Sequence, residues 1–409
     1  MTGYPAGFPR TQKNMTTCKA WIKYSWEGHY CENPAWEKDP EGLCILHSLA
    51  PEKDNTAFDQ VLQSKLAQED FDFREVYFPG PASFTRQKFK TAANFHGAKF
   101  AGWADFREAE FLDGIDFSSA KFEQAALFEK ARFIGQVLFK DTEIAGEADF
   151  RGASFDGPGI FQNVNERRET TGRLPLIAYF QDISFGPRGH LQFHDLSIGL
   201  ASFLGTDLRR SEFHNVRWYS YQGRQAVYDE ILLRGKGGPY VLTLASWRES
   251  SHDYEGLCAR VEELYRYLKL NYEQEGDLKQ AGDFHYGEME MHRQANFWRR
   301  WFPLSWYNLY RILSGYGERP LRALGWLVGL VGGLALSLEF LGLRTAEGST
   351  AGFSESLIYI LERMSFTRPE WPKPITEGGG LLAGVSHFLI LGQAALFLLA
   401  LRNRLGRRH

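Results

Sequence analysis

From residue 73 to residue 100 the chain reads FREVYFPGPASFTRQKFKTAANFHGAKF, and this stretch shows the pattern that decides the fold. A phenylalanine recurs after five residues and then after six, and the alternation continues without a slip to residue 161. The anchors are Phe73, Phe78, Phe84, Phe89, Phe95, Phe100, Phe106, Phe111, Phe117, Phe122, Phe128, Phe133, Phe139, Ile144, Phe150, Phe155 and Phe161. The chain therefore contains an eleven-residue repeat.

Small residues accompany the anchors. A small or apolar residue, most often alanine, stands two positions before most of them, with Gln87 and Thr142 as exceptions. The alanines are Ala82, Ala93, Ala98, Ala104, Ala109, Ala120, Ala126, Ala131, Ala148 and Ala153. Helical heptads do not produce this spacing, and the glycines among the anchors would weaken a helix. A solenoid of short strands accounts for the pattern, because each anchor then stacks on the anchor one coil away and the small residue fits inside the corner.

Three units, Ala93-Asn94-Phe95, Ala104-Asp105-Phe106 and Ala148-Asp149-Phe150, resemble the pentapeptide-repeat family. The resemblance implies a right-handed quadrilateral β-helix with one unit on each face, and the alternating spacing implies a coil of about 22 residues. The regular spacing of the anchors is interrupted near residues 163–176 and resumes at Phe180. From Phe193 to Phe213 the anchors recur at strict steps of five. We therefore expect one β-helix over residues 61–220 with an insertion near 163–176.

Arginines mark the insertion and the end of the solenoid. The candidate ligand-binding residues are Arg167, Arg168, Arg173, Arg209 and Arg210. Long loops on rigid scaffolds often bind ligands, so these arginines could meet a phosphate or an acidic partner. The alternative is an ordinary solvated loop.

Residues 1–60 form a predicted N-terminal cap. Cys18, Cys31, Cys44 and His47 follow the spacing C-x12-C-x12-C-x2-H, and three thiolates with one imidazole can close a tetrahedral structural zinc site. The alternative is three reduced cysteines beside a loop histidine. The chain has four cysteines, and its first 15 residues contain no apolar segment of the kind found in signal peptides. We therefore expect a reducing compartment and no cleaved signal peptide.

Residues 221–295 are predicted to be a helical connector. Leu257, Val261, Leu264 and Leu268 recur at helical spacing, and a second helix begins at Leu278. The pair faintly resembles one tetratricopeptide unit. Residues 296–320 follow with tryptophans, tyrosines and arginines interleaved, a composition that suits an interfacial helix in the lipid headgroup layer.

Residues 321–409 contain two long apolar runs, Leu321 to Leu343 and Leu381 to Leu401. As helices they would be roughly 35 Å and 32 Å long, enough to cross a hydrocarbon core of about 30 Å. Arginines precede the first run and follow the second, whereas the connection has no basic excess. By the positive-inside rule, both termini should be cytoplasmic.

A short apolar segment, residues 353–364, lies between the two spans and suits a re-entrant helix. This order resembles the two-span pore module of potassium-channel-like proteins, which in bacteria also occurs fused behind pentapeptide repeats. The resemblance implies a homotetramer around one pore in the bacterial inner membrane. However, residues 365–370 read SFTRPE where a potassium filter has TVGYG, so potassium selectivity is not implied.

Four residues are candidates for the lining of such a pore. Thr367 and Arg368 would lie near its mouth, and Ser386 and Gln393 share one face of the second span. The alternative for Ser386 and Gln393 is hydrogen bonding between helices.

Charge and residue content argue against two classes of function, nucleic-acid binding through overall charge and enzymatic catalysis. The net charge of -3 gives no global attraction to nucleic acid, and we find no catalytic constellation, so we do not expect an enzyme. The leading hypothesis is an oligomeric channel in the lipid bilayer, gated by a cytoplasmic β-helix sensor. The architecture resembles antiphage membrane effectors, which implies control by a nucleotide, an oligonucleotide or another anionic ligand. The alternative is a non-conducting, membrane-anchored interaction scaffold.

Overall fold

The computed structural model describes residues 17–24, 27–50, 53–165, 175–235, 254–296, 302, 305–345, 348–364 and 372–405. Its contacts divide the chain into two compact units. One comprises Met1–Tyr221 with Val227–Ile231, and the other comprises Gln222–Ala226 with Leu232–His409.

The first unit is a β-solenoid with four parallel sheets. Two sheets have six strands, one has five and one has four, so the solenoid makes about six turns. The six-stranded sheets contain Ala93–Asn94, Ile115–Asp116, Val137–Lys140, Pro158–Gln162, His190–His194 and Ser211–His214, and Ala82–Ser83, Ala104–Asp105, Ala126–Leu127, Ala148–Asp149, Ile177–Tyr179 and Leu200–Ser202. The five-stranded sheet contains Lys88–Phe89, Glu110–Phe111, Arg132–Phe133, Ser154–Phe155 and Ser184–Phe185, and the four-stranded sheet contains Tyr77–Phe78, Lys99–Phe100, Lys121–Phe122 and Glu143–Ile144. The β-helix predicted from the repeat is confirmed.

The anchors stack as the periodicity predicts. Phe84 and Phe106, 22 residues apart, have ring centroids 4.9 Å apart and planes only 6° from parallel. Phe106 stacks in turn on Phe128 at 5.1 Å. The alanines form their own ladder, in which Ala104 pairs with Ala82 and Ala126. These rings and methyl groups are buried, and they form a continuous core along the solenoid axis.

One corner of each repeat uses a left-handed residue. Positive φ values recur every eleven residues at Glu75, Arg86, Gly97, Glu108, Ser119, Lys130, Asp141, Gly152 and Asn163. All but Asn163 lie in a five-residue step, where the turn closes with an i→i+3 hydrogen bond such as Gln87 N to Phe84 O at 3.0 Å. Most of these residues are not glycine, so coil closure rather than residue preference imposes the conformation.

Both ends of the solenoid are covered. Helix α1 (Asn55–Ala67) begins at the cap residue Asp54 and packs Phe58 edge-on against Phe78 at 5.6 Å. An antiparallel hairpin, Trp21–Tyr24 with Glu27–Tyr30, precedes it. After the last coil, which includes the 3-10 turn Leu208–Arg210, Trp218 covers Phe213 at 5.1 Å. The strands Tyr219–Tyr221 and Arg224–Ala226 and helix α2 (Tyr228–Leu233) follow.

In the second unit the predicted connector is a helical hairpin, α3 (Tyr254–Gln274) and α4 (Leu278–Gln294). Asp277 caps α4 by accepting a hydrogen bond from Gln280 N. Gly287 lets the helices approach closely, because a Cβ at this position would lie 2.5 Å from the Tyr265 ring. Helix α5 (Trp306–Ser314) follows and ends at Gly315, whose φ is +59°.

The two apolar runs are helices α6 (Pro320–Leu341) and α8 (Glu377–Leu405), with the shorter α7 (Phe353–Met364) between them. A small antiparallel sheet, Leu343–Arg344 with Lys373–Pro374, joins the ends of the long helices. Both long helices are apolar and long enough to cross a membrane, and each is mostly unburied within the chain. The second begins four residues earlier and ends four residues later than its apolar run, because polar residues extend it at both ends.

Candidate metal centre and membrane hairpin

Cys18, Cys31, Cys44 and His47 come together at the end of the solenoid. All four are buried, and their ligand atoms lie within 4.8 Å of one another. The Cys31 and Cys44 sulfurs are 3.9 Å apart, and His47 Nδ1 is 3.1 Å from Cys44 Sγ and 3.8 Å from Cys18 Sγ. The spacing of the four residues in the sequence therefore predicted a cluster that the fold assembles.

Local backbone bonds position the ligands. Cys18 and Cys31 flank the hairpin, where Cys18 N donates to Asn33 O and Cys31 N donates to Ala20 O, both at 2.9 Å. Cys44 and His47 form one tight turn in which His47 N donates to Cys44 O at 3.1 Å. Cys44 N also donates to Cys18 Sγ at 3.0 Å, a bond that stabilises a thiolate at Cys18.

The donor set fits a tetrahedral ion. Zinc–sulfur bonds of about 2.3 Å place two thiolates about 3.8 Å apart, close to the Cys31–Cys44 separation. His47 Nε2 lies 3.1 Å from Arg74 O, which leaves Nδ1 as the ligand atom. The buried Cys3His cluster can therefore bind a metal ion, and with four protein ligands it would be structural rather than catalytic.

The three thiols of the cluster differ in their tendency to ionise. The hydrogen bond with Cys44 lowers the pKa of Cys31, whereas the pKa values of the other two cysteines are raised. The hydrogen bond with Cys31, together with burial, raises the pKa of Cys44 to about 11, and burial raises the pKa of Cys18. Lys53 lies beside the cluster and donates to Leu46 O at 3.2 Å, and burial lowers its pKa to about 7. A cation would replace the thiol protons and compensate the thiolate charges, so metal binding should release protons.

Of the five candidate anion-binding arginines, only Arg209 and Arg210 lie in the part of the chain that the structure describes. Arg167, Arg168 and Arg173 lie outside the described residues. Arg209 pairs with Asp207 at 2.7 Å, the arrangement that Arg107 makes with Asp105 at 2.6 Å within the repeats. Arg210 donates to Gly186 O at 2.7 Å. Arg209 and Arg210 thus take part in corner contacts of the solenoid, and ligand binding by them stays a prediction.

In the apolar hairpin formed by α6 and α8, α7 packs against both long helices. Tyr359 and Ile360 of α7 are buried in one cluster with Leu338 of α6 and with Ala383 and Ile390 of α8. The faces of α6 and α8 that point away from this cluster are exposed, with Phe340 93% and Phe388 75% exposed. Such faces suit contact with lipid or with another copy of the chain.

Of the predicted pore residues, Ser386 and Gln393 are buried within the chain. Ser386 Oγ donates to Ala383 O at 2.9 Å. Gln393 Nε2 donates to Ala323 O at 2.9 Å and to Leu313 O at 3.3 Å. The alternative, hydrogen bonding between helices, thus has defined partners for Gln393. Thr367 and Arg368 lie outside the described residues. A pore-lining role for all four stays a prediction.

A buried polar network, which the sequence did not reveal, connects α4 to the segment before α6. Glu290 accepts hydrogen bonds from Arg293 Nη2 at 2.7 Å, Gln294 Nε2 at 3.1 Å and Tyr316 Oη at 3.1 Å. Burial alone would raise the pKa of Glu290, but the bonds and charge of Arg293 lower it to about 2. The Glu290–Arg293 spacing of three residues was visible in the sequence, whereas the contact with Tyr316 had no signal there.

Comparison with known proteins bears on the solenoid. A family model described as pentapeptide repeats (9 copies) matches residues 73–121 and 117–165. The match covers the regular coils and identifies them as pentapeptide repeats. No curated protein and no solved structure matches the chain.

Proposed function

We propose that this pentapeptide-repeat protein is an oligomeric membrane channel, with the β-solenoid as a cytoplasmic sensor that controls the pore. The observation that carries the proposal is the packing of α7 against both apolar helices through Tyr359 and Ile360. A 12-residue helix is too short to cross a bilayer, and an anchor needs neither it nor a second span. Two spans with a short helix between them are the elements from which a re-entrant pore is built.

The pore must form between chains. Between the two long helices of one chain, Leu338, Ala383 and Ile390 are buried, so their side chains fill the space. Gly325 and Gly329 on α6 have no atom near the position of a Cβ, which leaves room for a second helix. By resemblance to two-span pore modules, we propose four chains around one pore.

The network at Glu290 supports mechanical coupling. It joins α4 of the connector to Tyr316, four residues before the first span begins at Pro320. A displacement of the connector would therefore act on the start of that span through buried, charge-assisted hydrogen bonds. We further propose that the solenoid binds an anionic ligand, such as a nucleotide or oligonucleotide, and that the protein acts in antiphage defence. Copurification of a nucleotide or oligonucleotide with the expressed protein would test the ligand proposal.

Ion flux tests the channel proposal. The full chain is purified in detergent, its subunit number is measured by native mass spectrometry, and flux is recorded in liposomes. We expect tetramers that conduct ions with weak selectivity. Tyr359→Ala, which removes a buried α7 contact, should change the flux, whereas Ser354→Ala at an exposed position of the same helix should not. Intact oligomers that pass no ions would overturn the proposal.

One observation favours the second candidate, a membrane-anchored scaffold. Ser386 and Gln393, the polar groups of the second span placed on one face, bond to the backbone of their own chain rather than facing open space. A scaffold predicts a stable membrane protein without flux whose solenoid captures a partner. The liposome measurement separates the two candidates.

A further inference from the structure

A cavity of about 750 Å³ opens where the two apolar helices begin and end. Its lining comes from α4, from the start of α6 and from the last turns of α8, and includes Lys279, Asp283, Arg319, Arg322 and Arg404. These ends are held together, since Asn403 Nδ2 donates to Gly317 O at 3.1 Å. A volume of this size accommodates a small-molecule ligand or a lipid headgroup.

The cavity has an excess of positive charge. Within the described part of the chain, none of Lys279, Arg319, Arg322 and Arg404 forms an ion pair with a carboxylate. Arg319 instead donates to Gln222 O at 3.4 Å, and Arg322 donates to Arg311 O at 3.3 Å. Carbonyl oxygens do not neutralise a guanidinium, so Arg322 keeps its charge for an anion, whereas Lys279 and Arg319 also attract the Asp283 carboxylate.

The two carboxylates of the lining offset this charge only in part. Asp283 accepts a hydrogen bond from Gln225 N at 2.9 Å, and burial raises its pKa. The second carboxylate of the lining is that of Glu318. Four cationic side chains against two acidic ones leave a net positive cavity.

The start of α6 adds to the attraction. Its cap residue, Arg319, makes no side-chain capping bond, and the helix begins with Pro320. The positive end of the helix dipole is therefore not compensated by a side chain. This contribution adds to the positive charge that Lys279 and the three arginines give the cavity.

The position of the cavity indicates the source of the anion. Arg322 lies in the first turn of one apolar helix and Arg404 in the last turn of the other, where headgroups meet a membrane-spanning hairpin. Leu321, beside them in the lining, is 77% exposed and offers apolar contact to an acyl chain. A soluble phosphate would make no use of this apolar rim.

We propose that this cavity binds the phosphate of an anionic phospholipid from the leaflet on the side of both helix ends. The inference rests on α6 and α8 crossing a bilayer, which the proposed function also requires, but not on ion conduction. Charged lipids bind basic pockets between membrane helices through contacts of this kind.

Native mass spectrometry of the delipidated full chain in detergent tests the proposal. The probes are phosphatidylglycerol, zwitterionic phosphatidylcholine and inorganic phosphate. We expect phosphatidylglycerol to bind at least tenfold more tightly than phosphatidylcholine. The double variant Arg322→Gln/Arg404→Gln should lose at least tenfold in affinity for phosphatidylglycerol. Arg402→Gln, an exposed arginine near the same helix end but outside the lining, should bind like the wild type.

Three results would contradict lipid binding in this cavity. Equal affinity for the two lipids, an equal loss in the Arg402→Gln control, or phosphate displacing the lipid at equal concentration would each overturn the proposal. If the double variant does not fold, as judged by its elution volume, the single Lys279→Gln variant replaces it. Because no current is measured, a protein that binds phosphatidylglycerol but fails the liposome flux assay supports this site and refutes the channel.

Discussion

The hydroxyl of Tyr316 donates a 3.1 Å hydrogen bond to Oε2 of Glu290. Tyr316 is fully buried before the first apolar helix, and Glu290 is 5% exposed on α4. Arg293, which pairs with Glu290 at 2.7 Å, also donates to Asn308 Oδ1 of α5 at 3.3 Å. The Glu290–Arg293 pair therefore connects α4, α5 and the turn before α6 in the second unit.

Replacement of Glu290 with glutamine should destabilise the second unit by about 3–5 kcal/mol, because Arg293 would remain buried without its counter-charge. The pKa of Glu290 is lowered to about 2, below its ordinary value of 4.5. Its contribution to stability is therefore present above the ordinary pKa and is lost as the pH falls toward 2. The difference in Tm between wild type and variant should thus be largest near pH 7 and shrink below pH 4.5.

Thermal unfolding in detergent at several pH values measures this effect. Glu273→Gln, an exposed position at the end of α3, is the matched control and should leave Tm within about one degree. A difference for Glu290→Gln that does not change with pH would contradict the ionised network.

Replacement of Cys44 with serine should abolish metal binding, because the residue contributes one of four ligands and its turn holds His47. We expect about one zinc ion per wild-type chain and near none in the variant, measured by plasma mass spectrometry. The variant should also unfold at lower temperature, since binding energy is folding energy for such a site.

Cys258→Ser serves as the control for the metal measurement. Cys258 is buried in α3, outside the cluster, so the variant should keep its metal even where its stability falls. Wild-type protein that takes up neither zinc nor cobalt under reducing conditions would refute the metal centre.

Truncation of Phe106 to alanine should lower the free energy of unfolding of the solenoid by about 3–5 kcal/mol. Its ring is fully buried between Phe84 and Phe128. Phe185 is only partly buried and lies 6.5 Å from Phe155, so Phe185→Ala should cost roughly 1–2 kcal/mol. Chemical denaturation followed by circular dichroism measures both, and equal losses would contradict the stacked core.

The substitution Gln393→Leu should lower the free energy of unfolding by about 1 kcal/mol, and Tm with it, because the hydrogen bonds to Ala323 O and Leu313 O are lost. Single-channel recording decides whether the residue also lines a pore. A changed unitary conductance would support the lining role, and an unchanged conductance with a lower Tm would leave Gln393 as a contact between helices. Leu389→Ala, exposed one turn earlier, is the control for Tm.

The solenoid could be predicted from the sequence because its contacts repeat at a fixed distance along the chain. Phe84 stacks on Phe106 and Phe106 stacks on Phe128, so a period of 22 residues identifies the stacking partners within the regular coils up to Phe161. The left-handed corners at Glu108 and Lys130 could not be predicted from residue type, because closure of the coil imposes them on side chains that do not favour that conformation.

The phenylalanine repeat, the alanine corners, the two apolar helices and the set of four candidate metal ligands could all be identified from the sequence alone. Each of these follows from local spacing or composition. Only the tertiary structure decided that Cys18 meets His47, that Tyr316 bonds Glu290, and that Arg322 and Arg404 line one cavity. These pairs have no periodic separation, so their contacts depend on how whole helices and coils pack, which no local pattern specifies.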